Sequence, residues 1–456
     1  MYEASQELAR FVLTTKFQDL HDDVVNKTID LILDHLGVSI FGSTTPWAQI
    51  VTRFVMSQGG KGASSIYASG CKSTPINAAL ANGTMAHSFE LDDTLSAYHP
   101  GAVVIPAALA VAEREHSCGK DLITAIVLGY EVMARVNSAI HDTEIFRRGH
   151  HATGVTGSFG AAAASGKLLN LDEMKLVSAL GLAANQHTGI MEFFREDTME
   201  KRLFTGKACH DGVLSAMLAA EGFTAASSSL DGEYGFCSAF ANKPDHAELT
   251  KNLGKTFKIM ETEIKPYPCC RLIHSPIDAA IQLVEKYNIS PQEISEVVLW
   301  GNKNSLSNQH CFYEVPGIMA AQYNIPYCIA IALIHRKVWI DNFTAEAFKE
   351  SQTLELMRRV KVKYDKEIDR AGRMAKLTVK LANGRSFSET VYHSKGTTEH
   401  PFTKEELSEK FKMMTLMVLP QKQVDNIIRL TQTITDLRDI TELANALMTM
   451  KSMEKE

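Results

Sequence analysis

The sequence predicts a mainly α protein, a large all-helical domain joined to a smaller α+β domain, and three observations carry that prediction. Ala-rich and amphipathic runs at helical spacing fill the first half of the chain and return beyond Pro401. Between them, from Phe257, short β-like runs alternate with helices. Within that stretch, Lys376 to Phe387 sets Asn383-Gly384 between two alternating runs, the strongest short hairpin signal. The reading therefore assigns 1–258 and 402–456 to the helical domain and 259–401 to the α+β domain.

Taken in order, residues 5–42 read as two amphipathic helices, the second running Val24 to Leu36 with Gly37 as a left-handed C-cap. Residues 57–74 read as a loop around a short Ser-Ile-Tyr strand. Pro75 opens a helix that runs to Phe89 and delivers His87 and Glu90 at its end. Helices over Ala102 to Glu115 and Asp121 to Ser138 are apolar on most faces, so the spacing places them inside. Gly157 to Leu169 reads as a tightly packed core helix, and Asp172 to Asn185 as another. Glu200 to Gly212 reads as a turn-rich approach to the helix Val213 to Glu221, a solvated basic face being its plainest interpretation. Strands are expected over Ile294 to Trp300 and Val360 to Val362, and helices over Glu405 to Phe411, Gln421 to Leu430 and Ile440 to Met448. The basic, Met-rich tail calls for no special role.

Composition narrows the function. A chain of 456 residues is long enough for about two to three domains. With 45% hydrophobic and 22% charged residues it has the make-up of a globular protein with a sizeable core. A formal charge of -6 argues against nucleic acid or an acidic membrane as the main partner, so an anionic ligand must be met by local cations. The eight cysteines form no CxxC pair and no zinc-ligand spacing, and read as reduced thiols. Met1 to Ser5 lack the basic and apolar segments of a signal peptide, and no apolar run reaches the roughly 18 residues that span a bilayer. The expectation is a cytoplasmic protein without a membrane partner.

The chemistry concentrates in His87 to Gly101, which packs Glu90, Asp92, Asp93 and two histidines against an apolar helix. Burial and neighbouring charges move carboxylate and imidazole pKa values towards neutrality, which acid–base work requires, although acidic residues before a helix also serve as plain caps. His99, His151 and His274 each stand just before an expected helix start, where free N–H groups favour an anion and keep an imidazole near its neutral form. Joined by Lys201, Arg202 and Arg271, they would make a cationic pocket suited to a small polycarboxylate. No HExxH or other metal-ligand set is present, nor a GxSxG elbow, a dinucleotide GxGxxG or a phosphate loop. No metal and no cofactor are expected, and the chemistry indicated is proton transfer.

Several stretches together resemble one family. They are His87 to Asp93, His99-Pro100-Gly101, His151 with Gly157-Ser158, Lys201 to Gly212, Lys265 to His274, and Ala321 to Tyr327. In order and across essentially the whole chain they are similar to the MmgE/PrpD family, which contains 2-methylcitrate dehydratase, cis-aconitate decarboxylase and iminodisuccinate epimerase. The resemblance implies a helical domain built from both chain ends, a smaller α+β lid domain, and a homodimer. Its active-site pattern falls on Asp93, Thr94, His99, His151, Lys201 and His274, with Glu90, Arg202 and Arg271 as further substrate-binding candidates. Where the family often has Asp, this chain has Glu90, as in the fungal cis-aconitate decarboxylase. The implied activity is a cofactor-free lyase on an unsaturated tricarboxylate, most simply decarboxylation of cis-aconitate to itaconate. Dehydration of 2-methylcitrate and epimerisation of an iminodisuccinate-type dicarboxylate ask for the same residue types, and a non-enzymatic carboxylate-binding protein would keep the fold without them.

Overall fold

In a computed structural model, which describes residues 3–196 and 198–448, the chain divides into two compact units. One takes in the described residues up to Met191, then Met199–Thr262 and the stretch from Thr403 onward; the other takes in Glu192–Thr198 and Glu263–Phe402. Met1-Tyr2, part of the N-terminal reading, and most of the Met-rich tail lie outside the described residues.

The first unit is helical. Its N-terminal part carries α1 (Ala4–Thr14), α2 (Asp22–Gly42), α3 (Pro46–Ser57), a small hairpin of β1 (Ser64–Ile66) and β2 (Cys71–Ser73), α4 (Pro75–Ala86), α5 (Gly101–Arg114), α6 (Gly119–Ile140), α7 (Ala152–Leu168), α8 (Glu173–Ala183) and α9 (Lys201–Ala220). Helices α5, α6 and α7 are buried along almost their whole length, as their lack of a polar stripe predicts. By length and composition α6 could cross a membrane, but 94% of its apolar window is inside the protein, so it is a core helix.

Two elements differ from the sequence expectation, for one physical reason. Helix α2 does not stop at Gly37 but runs on to Gly42. A β-carbon at Gly37 would lie 2.7 Å from Met414 Cε, so this glycine serves a close helix crossing and not a left-handed cap. Likewise 201–212 is no turn-rich approach: it is the first half of α9, and Lys201 and Arg202 are buried. Helix α9 crosses α4 where Gly83 meets Gly206, and a β-carbon on Gly83 would sit 3.0 Å from Gly206 Cα and 2.5 Å from Cys209 Sγ. That contact brings the end of α4, with His87, to the start of α9, with Lys201.

In the second unit a four-stranded sheet is ordered β4-β3-β5-β6, with β3 (Ile294–Gly301), β4 (Val360–Tyr364), β5 (Ala375–Leu381) and β6 (Ser386–Val391). Strands β3 and β4 are parallel and the other pairs antiparallel. The Asn383-Gly384 turn joins β5 to β6, and Gly384 takes the left-handed conformation (φ 86°) that such a turn needs. Helix α10 (His274–Tyr287) packs on β5, β6 and α11 (Ile325–His335). It begins at His274 itself and not after it: Ser275 and Pro276 lie in its first turn, where proline's missing N–H costs nothing.

The chain then returns to the first unit with α12 (Lys404–Thr415), opened by a Thr403/Glu406 capping box, and α13 (Gln421–Gln432). Helix α12 lies along α2, and its buried Lys410 donates to Asp34 Oδ1 at 2.5 Å and to the Leu91 carbonyl at 3.2 Å. The C-terminal segment thereby holds the backbone of the acidic loop.

Candidate active site

Three elements of the first unit deliver the chemistry-bearing side chains. The loop between α4 and α5 supplies His87, Glu90, Asp92, Asp93 and His99; the start of α7 supplies His151; the start of α9 supplies Lys201 and Arg202. All are buried. The ring centroids of His87 and His99 are 4.6 Å apart, those of His87 and His151 5.8 Å, and His99 stacks parallel to His151 at 6.1 Å.

Asp92 organises this cluster. Its Oδ2 lies 2.9 Å from Nδ1 of His87 and 3.0 Å from Nδ1 of His99. A second acceptor, the Asp93 carbonyl, is 3.0 Å from the same His99 nitrogen. Both imidazoles therefore carry their proton on Nδ1 and turn Nε2 the other way. Burial opposes the charge of Asp92, yet His87 and His99 outweigh it and hold the carboxyl well below the usual carboxylate range. Burial lowers His87 to about 3, with Lys201 and His99 pushing the same way against Asp92. His151 is likewise held well below its ordinary value by burial, then by Lys201, His87 and His99. These two imidazoles are neutral at physiological pH.

The cations sit on the other side of His87. Lys201 Nζ lies 2.7 Å from His87 Nε2 and pairs with Glu90, and Arg202 Nη1 lies 3.0 Å from the same Glu90 oxygen. The Arg202 guanidinium lies over the Trp47 ring at 5.7 Å. Glu90 reaches both cations from a left-handed backbone (φ 55°), a conformation that costs a non-glycine residue about 1 kcal/mol or more. Two charge-assisted bonds in a buried setting offset that cost.

The other loop candidates do different work. Asp93 accepts from the Tyr130 hydroxyl at 2.6 Å and from the Gly101 N–H, the first of α5, at 2.9 Å. Burial raises its carboxyl to about 7, Asp92 and Asp34 adding to the rise and the two hydrogen bonds opposing it. Thr94 directs its hydroxyl to the Ser96 and Tyr98 carbonyls and closes the loop.

Arg271 and His274 lie in the second unit and form a cluster there. Arg271 donates to Glu263 at 2.8 Å and to Ser394 at 2.8 Å, and Arg373 also pairs with Glu263. His274 is buried, edge-on to Tyr267, with Nε2 3.2 Å from the Cys269 carbonyl. Burial first, then Arg271 and Lys265, holds it well below its ordinary value. It is a neutral imidazole, and the cause is burial and the neighbouring Arg271 and Lys265.

Sequence reasoning placed His87 and Asp92 in the chemistry-bearing stretch without giving either a role, and it missed Tyr130. For the first two a signal was present, since His87 and His99 bracket tandem carboxylates; for Tyr130, in the middle of α6, none was. It also found no metal-ligand spacing, yet the fold places nitrogens of His87, His99 and His151 within 4.8 Å of one another. Such a trio with a carboxylate behind two members has the donor chemistry of a zinc site. Against that, the Lys201 ammonium stands at His87 Nε2, where a divalent ion would meet its charge.

Known proteins resemble this chain along almost its whole length. Residues 6–249 match the MmgE/PrpD N-terminal domain, and residues 267–436 match the MmgE/PrpD C-terminal domain. A cis-aconitate decarboxylase of Aspergillus terreus is 28% identical over 97% of this chain and 95% of its own length. Cis-aconitate decarboxylases of Homo sapiens (26% identical, 97% of this chain, 94% of theirs) and Mus musculus (25%, 97% and 93%) are similar along the same span.

Proposed function

Because the chain belongs to the MmgE/PrpD family, we propose that it is a cofactor-free lyase for a small unsaturated tricarboxylate, converting cis-aconitate to itaconate. The names of its full-length relatives support that choice of substrate. One observation carries the mechanism: Asp92 orients the His99 ring by its Nδ1, and the same carboxylate oxygen holds His87, whose Nε2 meets the buried Lys201.

In the reaction the bond to the carboxylate on the saturated carbon breaks and CO₂ leaves. Its electron pair moves through the double bond, and a proton adds to the former vinyl carbon. His99 supplies that proton from Nε2 of its imidazolium form and is left as the neutral Nδ1–H ring, whose proton Asp92 and the Asp93 carbonyl hold. Asp92 stabilises the imidazolium that carries the proton, in the manner of the carboxylate of a hydrolase triad. Lys201 and His151 hold substrate carboxylates, and preorganised cations in a water-poor site stabilise the charge that develops as CO₂ departs.

The test is proton NMR of the purified protein with cis-aconitate, and itaconate vinyl protons are the expected result. Turnover of 2-methylcitrate without CO₂ release, or deuterium exchange into an unchanged dicarboxylate skeleton, would replace decarboxylation with dehydration or epimerisation.

A further inference from the structure

We propose that His87 is a positioning residue that ties Lys201 to the carboxylate orienting His99, joining the two ends of the acid–base machinery in one chain: His99, Asp92, His87, Lys201. The inference rests on the reading of Lys201 and His99 as working groups of the site.

Elimination supports it. Both ring nitrogens of His87 are engaged, Nδ1 with Asp92 at 2.9 Å and Nε2 with Lys201 at 2.7 Å, and the side chain is fully buried. Nothing on the ring remains to touch a substrate, so His87 does not itself transfer a proton to one. An ammonium has three donors and no acceptor, so Nε2 must accept from Lys201 and the proton of His87 must lie on Nδ1. That proton needs an ionised Asp92, and the same Oδ2 then receives His99. The tautomer of His87 and the charge of Lys201 therefore require each other. The groups facing this chain are His151 from the start of α7, Glu90 and Arg202 on the far side of Lys201, Asp93 next to Asp92, and Asp34 and His35 of α2 towards Asp92. The Asp92 carboxylate is shared by construction: a change at one imidazole is felt at the other and at the lysine.

Two near-isosteric substitutions separate the links. His87→Asn keeps a donor for Asp92 but is too short to reach Lys201; His87→Gln places an amide oxygen where Nε2 stood. With cis-aconitate, His87→Asn is expected to lower kcat by about 10- to 100-fold, the range for orienting partners behind a reacting group, with KM within about threefold. Losing an acceptor disfavours the ammonium, so the alkaline limb of its kcat profile moves to lower pH. His87→Gln is expected to recover most of the rate and the original limb. The Lys201 Nζ resonance, titrated by ¹⁵N NMR without substrate, must move in His87→Asn in the same direction. An unmoved Nζ titration in both variants overturns the proposal whatever the substrate proves to be. A moved titration in a protein inert to cis-aconitate leaves His87 in place and removes the decarboxylase reading alone.

Discussion

The Tyr130 hydroxyl donates to Asp93 Oδ2 at 2.6 Å, and both groups are buried. Burial lifts this carboxyl from its ordinary 3.8 to about 7, whereas an unfolded chain ionises it near the ordinary value. Between those two values the folded protein binds more protons than the unfolded one. The stability associated with Asp93 is thus whole below the window and is lost as pH rises through about 7. Asp93→Asn cannot ionise, so its urea midpoint relative to wild type is expected to climb across that window. A flat difference would mean that Asp93 is already ionised in the folded protein.

Removal of Lys201 tests the site from the other side. Lys201→Ala leaves Glu90 paired with Arg202, so the loop keeps one of its two charge contacts and the helical circular dichroism should be unchanged. Turnover of cis-aconitate is expected to fall by about 10²- to 10³-fold, the usual span for losing one preorganised charge-stabilising donor. Wild-type kcat/KM in this variant would strip Lys201 of its role.

His274→Ala is expected to abolish most turnover while the second unit stays folded, because the imidazole is held by a hydrogen bond to the Cys269 carbonyl and an edge contact with Tyr267. Equal kcat/KM in variant and wild type would leave this histidine a structural residue of its own unit.

The Lys410–Asp34 pair should behave as buried ion pairs do. Lys410→Met strands the Asp34 carboxylate and is expected to cost about 3–5 kcal/mol in urea unfolding. The double variant Lys410→Met/Asp34→Leu should return much of that stability. Additive losses in the double-mutant cycle would show that the two groups act independently.

Exhaustive chelation is expected to leave cis-aconitate turnover unchanged. Activity lost on chelation and restored by zinc would place a metal on His87, His99 and His151 after all.

Periodicity made the helical and α+β portions and the Asn383-Gly384 hairpin legible, because those signals are local. The glycines misled where their reason was tertiary: Gly37 and Gly206 look like punctuation in the sequence but allow one helix to cross another. Of the candidate residues, His99, His151, Lys201, Glu90 and Arg202 lie in the first unit, and Arg271 and His274 lie in the second. The division of labour between Asp92 and Asp93 was not legible. In an irregular loop, neighbouring side chains face different partners, and only the fold decides that Asp92 meets the histidines and Asp93 meets Tyr130.

Lys410 carries one more consequence, which concerns time. The carbonyl it holds, at Leu91, lies 319 residues earlier in the chain, and Asp34 lies 376 earlier. Synthesis proceeds from the N-terminus at about 5–20 residues per second, so the acidic loop exists for many seconds before its anchor leaves the ribosome. During that interval the histidines and carboxylates are all present, but the brace on their backbone is not. A nascent chain therefore holds the histidines and carboxylates of the first unit and still lacks the finished loop until Lys410 has been made and folded back.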